Sequence, residues 1–541
     1  LLAVVPFLPV LANGFVNLDD HANFLENPRY RGLGRPQLSW AWTTHWLGAY
    51  QPMAWMLFEA QYTACQLNPE GYHLTSLLLH ALTALAAYSL TLTLVGRACP
   101  DLLNTNPTGV VLGSTLATAL FLVHPLRVEV VAWASCQPYL PCIALAALAV
   151  RAYLVAVEAA PSRYALGLIG AWALLALALL FKATAMALPA VLLILDYYPL
   201  RRLGGGPGRW FGPPARRVWR EKLPFFALSL VFAALAVQAK QSTDSLVALE
   251  QRGVLFRIAQ ACYDVGFYLR KTVWPTGLCA YYPVPNGFGW GSLPVQASAA
   301  LVTVASVAVF RLRRRHPGLL ATWLAYLALL APNLGLVTVG NTIAADRYSD
   351  LATLSGLPVL AAVIARLTGP GRGRAPITLA VATAGLGLLV VLGGSSWALC
   401  RTWRDTVSLA SHALSQGARA PEVYLGLGWG LQQRGDLAGA TATYRAALRL
   451  EPAHVPALIR LGMVRLRQGH LGEATELLTE AVRLQPEAPE THNGLGKVFA
   501  ARQRLDDAIA QFTEALRLRP DFAEARSNLA LVRWLARREV P

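Results

Sequence analysis

Ten apolar runs divide the first 400 residues, at about 72–97, 107–123, 138–158, 163–181, 183–200, 223–239, 293–310, 318–336, 350–366 and 376–399. A helix needs roughly 20 apolar residues to cross the ~30 Å hydrocarbon layer of a bilayer. In hydrocarbon every backbone polar group must find its partner within the protein, so repeated runs of this length imply membrane-spanning helices. Composition agrees, with 55% hydrophobic and 14% charged residues against roughly 25% charged for soluble proteins. A soluble enzyme, a disordered chain and a collagen-like fibre are excluded. The run Leu1–Ala12 is too short to cross and begins without Met. It reads as the end of a trimmed first span rather than a signal-peptide core, which would follow a basic segment. The expectation is about eleven spans.

Net charge is +17, which on its own would suggest nucleic acid. Its distribution says otherwise. Residues 400–541 hold 19 Lys+Arg and 15 Asp+Glu, leaving +13 for residues 1–399. Three loops account for that excess: 201–222 (+6), with Arg201, Arg202, Arg209, Arg216, Arg217, Arg220, Lys222 and Glu221; 311–315 (+4); and 366–374 (+3), with Arg366, Arg372 and Arg374. An even number of predicted spans separates them, so all three fall on one face, the cytoplasm by the positive-inside rule. Segments 14–71, 124–137, 240–292 and 337–349, and everything after 399, then lie outside. No nucleic-acid partner is expected. The seven cysteines show no CxxC or other metal spacing.

After residue 420 the chain repeats itself every 34 residues: Gly428, Gly462 and Gly496; Ala440, Ala474 and Ala508; Pro452, Pro486 and Pro520. Small residues where paired helices cross, with Pro ending the second helix, are the tetratricopeptide (TPR) pattern. Full repeats fall at about 421–454, 455–488 and 489–522, with partial helices at 403–416 and 523–538. The expected organisation is an all-α chain: a polytopic domain over 1–399 with large outside loops at 14–71 and 240–292, then an extracytoplasmic α-solenoid over 400–541. Such solenoids present a concave face to a peptide or protein.

The first outside loop opens with Asp19-Asp20-His21 just beyond the Leu1–Ala12 run. Adjacent carboxylates can accept a proton from a hydroxyl, or hold a divalent cation such as magnesium or manganese. The same loop carries Trp40, Trp42, Trp46 and Trp55, which read as an interfacial belt. Other outside segments contribute His124, Arg127 and Glu129, then Lys182, then Arg270 and Lys271, then Asp346-Arg347-Tyr348. A carboxylate pair and several cations on one side of one membrane suit a phosphate-bearing lipid whose head group is transferred outside.

These pieces also occur in a telling order: Phe15-Val-Asn-Leu-Asp19-Asp20, Leu67 to His80 including His73, His124-Pro125 through Trp133, Leu193 to Leu200, Lys271-Thr-Val-Trp274-Pro275 and Ala345-Asp346-Arg347-Tyr348. Ending in repeats, they resemble the transmembrane-and-tetratricopeptide protein O-mannosyltransferases and their bacterial relatives, which are glycosyltransferases of GT-C type. The resemblance implies a GT-C-like fold. It also implies transfer of a sugar, usually mannose, from a polyprenyl- or dolichyl-phosphate donor to a protein hydroxyl. It makes Asp19 or Asp20 the catalytic acidic residue and Arg347 a candidate phosphate ligand. Lys182 and Lys271, outside cations, are expected to offset the phosphate charge as well, with His124, Glu129 and His73 as further candidate donor or substrate contacts. The short array points to a bacterial member, in the inner membrane with its repeats in the periplasm; the alternative is the endoplasmic reticulum with the repeats in the lumen. Two other functions stay open: a lipid-linked glycan ligase or polymerase, and a non-catalytic membrane scaffold whose repeats recruit partners.

Overall fold

A computed structural model describes residues 4–203, 210–243, 247, 251–335, 340, 342–370 and 374–539. Arg209 and Arg372 of the basic loops, the first three residues of the Leu1–Ala12 run, and parts of the 240–292 and 337–349 segments lie outside the described residues. The described chain is helical almost throughout. Two short strands, β1 (Tyr282–Pro283) and β2 (Thr342–Ala344), pair antiparallel. The chain forms two compact units, Leu1–Arg404 and Asp405–Pro541.

In the first unit the helices are α1 (Arg35–Thr43), α2 (Pro52–Cys65), α3 (Pro69–Ala98), α4 (Pro100–Thr105), α5 (Pro107–Val123), α6 (Val128–Ala132), α7 (Tyr139–Ala156), α8 (Pro161–Phe181), α9 (Leu188–Tyr197), α10 (Pro213–Gln241), α11 (Val254–Val273), α12 (Leu293–Leu312), α13 (Pro317–Leu330), α14 (Asp350–Thr353), α15 (Leu357–Leu367) and α16 (Ala375–Cys400). Two begin with Asn-Pro, where the Asn side chain caps a free backbone N–H and Pro occupies a position that needs none. Asn68 accepts from the Glu70 N–H at 3.1 Å, and Asn106 accepts from Gly109 at 3.0 Å. Asn106 also donates to the Ala365 carbonyl at 2.8 Å, tying α5 to α15. Gly113 lets these helices approach closely, since a Cβ there would collide with the Ala361 carbonyl.

Among the described residues, seven helical stretches are long and apolar enough to cross a membrane: Pro69–Ala98, Ala134–Ala156, Pro161–Phe181, Ala215–Gln241, Leu293–Leu312, Asp346–Leu367 and Ala375–Trp403. Pro107–Val123 and Pro125–Ala132 make an eighth if their 57° bend is counted within one span. The other three of the eleven expected runs, at 1–12, 183–200 and 318–336, form helices shorter than this length, and each contains proline. Residues 5–12 form a 3₁₀ helix with Pro9 inside it, because Pro removes the donor that an α-helix needs. A 3₁₀ turn at Ala183–Ala187 leaves α9 only ten residues. The run 318–336 ends as α-helix at Leu330, with Pro332 in the 3₁₀ turn beyond it. Only 6% of the Leu293–Leu312 and Ala375–Trp403 windows is buried.

The tryptophan-rich first loop does not form a simple belt. Trp55 is fully buried with Phe24, Tyr30, Phe58 and Tyr72, and Trp40 and Trp46 pack against this cluster. Trp42 is exposed. The aromatic area buried here builds a small core of its own, which carries the segment holding Asp19 and Asp20.

The second unit begins with α17 (Thr406–Ser415) and continues as helix pairs: α18 (Pro421–Gln433) with α19 (Leu437–Leu450), α20 (Val455–Arg467) with α21 (Leu471–Leu484), and α22 (Pro489–Ala501) with α23 (Leu505–Leu518), ending in α24 (Ala523–Glu539). The 34-residue spacing places a glycine of each first helix against a large side chain of its partner. At Gly496 a Cβ would lie 2.7 Å from the Phe512 ring. Tyr444, Leu478 and Phe512 are buried at equivalent positions.

Candidate functional site

The two adjacent aspartates face different surroundings. Asp20 is buried and accepts from the Val16 N–H at 3.0 Å, the Ser135 N–H at 2.9 Å and the Ser135 hydroxyl at 2.5 Å. Asn23 in turn donates to the Ser135 hydroxyl at 2.9 Å. Burial raises the Asp20 carboxyl to about 7 despite these donors. Asp20 is thus a clamp between the first loop and residues 134–137, where Gln137 adds bonds to the Tyr72 carbonyl at 2.9 Å and the Ser76 hydroxyl at 3.0 Å. Asp19 is exposed. Its carboxylate is close enough to Lys182 and Lys240 to act on both electrostatically.

Lys182 follows the last residue of α8. Its ammonium donates to the Gln51 side chain at 3.1 Å and lies 5.0 Å from the centre of the Tyr139 ring. Burial, with Arg347 and Lys240 as neighbouring cations, holds it below the usual lysine range. Arg347 pairs with Glu129 through its guanidinium, and its backbone N–H donates to Glu129 Oε2 at 2.7 Å. The guanidinium lies 5.3 Å from the Trp133 ring and 4.9 Å from Tyr348, and is 20% exposed. Arg347 and Asp19 both act on Lys240, near the end of α10. One exposed carboxylate and three cations therefore share one neighbourhood, and among the described residues only Arg347 of the three is ion-paired.

The remaining sequence candidates do other work. Lys271 caps the loop after α11 through the Thr276 carbonyl and the Gly277 carbonyl at 2.9 Å. It also lies 5.7 Å from the Tyr282 ring, whose hydroxyl donates to Asp346 at 2.7 Å. His124 accepts the Leu126 N–H on Nδ1 at 3.2 Å, so its Nε2–H donates to the Thr272 carbonyl at 3.1 Å. It holds the corner between α5 and α6 and is not an open ligand. His73 is fully buried within α3. Glu129 serves as the counter-ion of Arg347. Protein donors reach both Asp20 oxygens, while Asp19 next to it is exposed. No group of three or more His, Cys, Asp or Glu among the described residues could hold a metal ion.

Sequence reasoning passed over Lys240, although it is the first charge after the apolar run 223–239 and falls on the same predicted face as Asp19. It also missed the buried ion pair between Arg127 and Asp350, in which Arg127 donates further to the Ser349 hydroxyl at 3.0 Å.

Residues 425–489, 459–521 and 493–540 match the tetratricopeptide repeat family. No curated protein matches the chain. Among solved structures, the chain is similar to an O-GlcNAc transferase mutant from Thermobaculum terrenum, at 30% identity over 21% of this chain and 22% of that one, with a TM-score of 0.20. It thus spans about a fifth of the transferase's length. YrrB, described as a TPR protein with an unusual peptide-binding site, is 19% identical over 28% of this chain and 80% of its own, with a TM-score of 0.22. A thermophilic TPR protein from Thermus thermophilus is 21% identical over 28% of this chain and 93% of its own, with a TM-score of 0.22.

Proposed function

We propose that the chain is a membrane-embedded GT-C-type glycosyltransferase that moves a hexose, mannose in the leading case, from a polyprenyl-phosphate carrier to a protein hydroxyl. Membrane insertion is supported by helices such as Leu293–Leu312 and Ala375–Trp403, apolar along their length and almost wholly uncovered by protein. In water such surfaces would exceed what a soluble protein tolerates. Basic loops at 201–222, 311–315 and 366–374 face the cytoplasm, in the bacterial inner membrane with the repeats in the periplasm. This orientation requires Ala183–Tyr197 and Pro317–Asn333 to cross as short helices, each extended by a 3₁₀ turn, and the bent pair of α5 and α6 to count as one span.

The observation that carries the chemistry is the exposed Asp19 carboxylate, whose charge acts on Lys182 and Lys240, with Arg347 acting on the same two lysines. Asp19 takes the proton of the acceptor hydroxyl. The hydroxyl oxygen forms its bond to the anomeric carbon as the bond from that carbon to the phosphate oxygen breaks, with inversion. The lipid phosphate leaves with its charge held by Lys182 and Arg347, cations already desolvated and therefore favourable to an anion. The tetratricopeptide unit binds the acceptor polypeptide, and its covalent tether raises the local acceptor concentration.

Transfer by the purified full-length chain, reconstituted with a polyprenyl-phosphate sugar and an acceptor polypeptide, tests the reading. Asp19→Asn should lower the rate by about 10²–10⁴-fold, the span of general-base contributions, with unfolding unchanged. An undiminished rate in Asp19→Asn overturns the mechanism. The scaffold alternative rests on the repeat match and predicts that changes on the concave repeat face abolish partner capture while Asp19→Asn does nothing. An extended glycan in place of a glycosylated protein would favour the ligase or polymerase.

A further inference from the structure

Far along the chain from Asp19, a cavity of about 450 Å³ lies between α3, α7, α9, α13 and α15, within the range of about 300–1,000 Å³ typical of ligand sites. Its origin is geometric. Helices α9 and α13 have ten and fourteen residues, so at 1.5 Å per residue they are about 15 and 21 Å long. They cannot fill the layer that α3 and α7 cross beside them. The walls are apolar, with Leu94, Val150, Leu195 and Ala325 among them, and the lining also includes Arg315, His316 and Arg366 but no carboxylate among the described residues. Arg366 donates to the Cys99 sulfur at 3.3 Å, a weak acceptor that leaves the guanidinium charge uncompensated. Arg315 and His316 are exposed, and Arg311, Arg313 and Arg314 precede them in the same basic segment.

We propose that this cavity is a binding site for an anionic phospholipid, with one acyl chain in the apolar space and the headgroup phosphate against Arg315, His316 and Arg366. The proposal rests on the membrane insertion and orientation given above, and not on the chemistry at Asp19. Charge complementarity selects this occupant. A zwitterionic lipid offers the same chain without net charge to meet three basic groups, and a free phosphate has no use for the apolar walls. Basic pockets between spans on the cytoplasmic side are where anionic headgroups bind.

The test is native mass spectrometry of the detergent-solubilised full chain with phosphatidylglycerol or phosphatidylcholine added. The wild-type chain should retain phosphatidylglycerol preferentially. The double variant Arg315→Gln/Arg366→Gln should lose about 25-fold of that retention, each cation near an anionic surface contributing about fivefold. Ala325→Phe, which fills the cavity, should remove retention of the lipid while the arginines remain. Asp19→Asn should retain it fully, so a failed transferase reading and a failed lipid site give different results. Equal retention of the two lipids by the wild-type chain, an unchanged preference in the double arginine variant, or displacement of phosphatidylglycerol by inorganic phosphate overturns the proposal.

Discussion

Breaking the Glu129–Arg347 pair should destabilise the first unit far more than an ordinary surface change. Glu129 is 3% exposed and accepts both the Arg347 guanidinium and the Arg347 backbone N–H, the latter at 2.7 Å. Glu129→Ala leaves a largely buried guanidinium without its anion and a backbone donor without its acceptor. Removing one partner of such a pair costs about 3–5 kcal/mol. Arg347→Met should cost a similar amount, since it strands the Glu129 carboxylate. The double variant leaves neither charge stranded, so its cost should fall short of the sum by about 2 kcal/mol or more. Equilibrium unfolding in mixed micelles, followed by tryptophan fluorescence, gives the four stabilities. Trp133 is a suitable reporter, since it lies 5.3 Å from the guanidinium and stacks on Trp403 at 5.8 Å. If the single effects add to within about 0.5 kcal/mol, the pair is not the energetic unit described, and Arg347 is not held by Glu129.

Burial raises the Glu59 carboxyl from its ordinary 4.5 to about 7. The folded chain therefore keeps a proton that the unfolded chain releases, and stability falls as pH rises from about 4.5 to 7, by up to about 3 kcal/mol. Glu59→Gln should flatten that part of the stability-against-pH curve; an identical slope in the variant refutes the assignment. Gly113→Ala should cost about 1–3 kcal/mol by overpacking α5 against the Ala361 carbonyl, read by the same unfolding assay, and an unaffected stability would mean that α5 and α15 are not in contact there. Asp20→Asn should replace one acceptor by an amide donor facing the Val16 or Ser135 N–H. Above pH 7 it should change stability rather than transfer chemistry, the reverse of Asp19→Asn, and a variant with wild-type stability across pH would contradict the clamp.

The starts of α3 and α5 follow a local rule, with Asn68 and Asn106 capping helices that begin at Pro69 and Pro107. The repeats were legible in the sequence itself. A 34-residue period records helix–helix contacts within each repeat, such as Gly496 against Phe512. Hydropathy alone overstated the runs at 183–200 and 318–336, since a window average does not register the 3₁₀ turns that shorten α9 and α13. The roles of Asp19 and Asp20 could not be separated from sequence, because Ser135, 115 positions away, decides which carboxylate turns inward. The same holds for His124 and Lys271, whose capping partners are backbone carbonyls that no side-chain motif reveals. Local signals thus marked the segments of the site, and long-range packing decided which side chains stay open.

Sugar transfer by the isolated chain is the most direct test of the proposed function. With a radiolabelled polyprenyl-phosphate sugar and an acceptor polypeptide in liposomes, label should appear on a protein hydroxyl with an equal amount of released polyprenyl phosphate. Folded, membrane-inserted protein that binds the acceptor yet releases no lipid phosphate and labels no acceptor would contradict it.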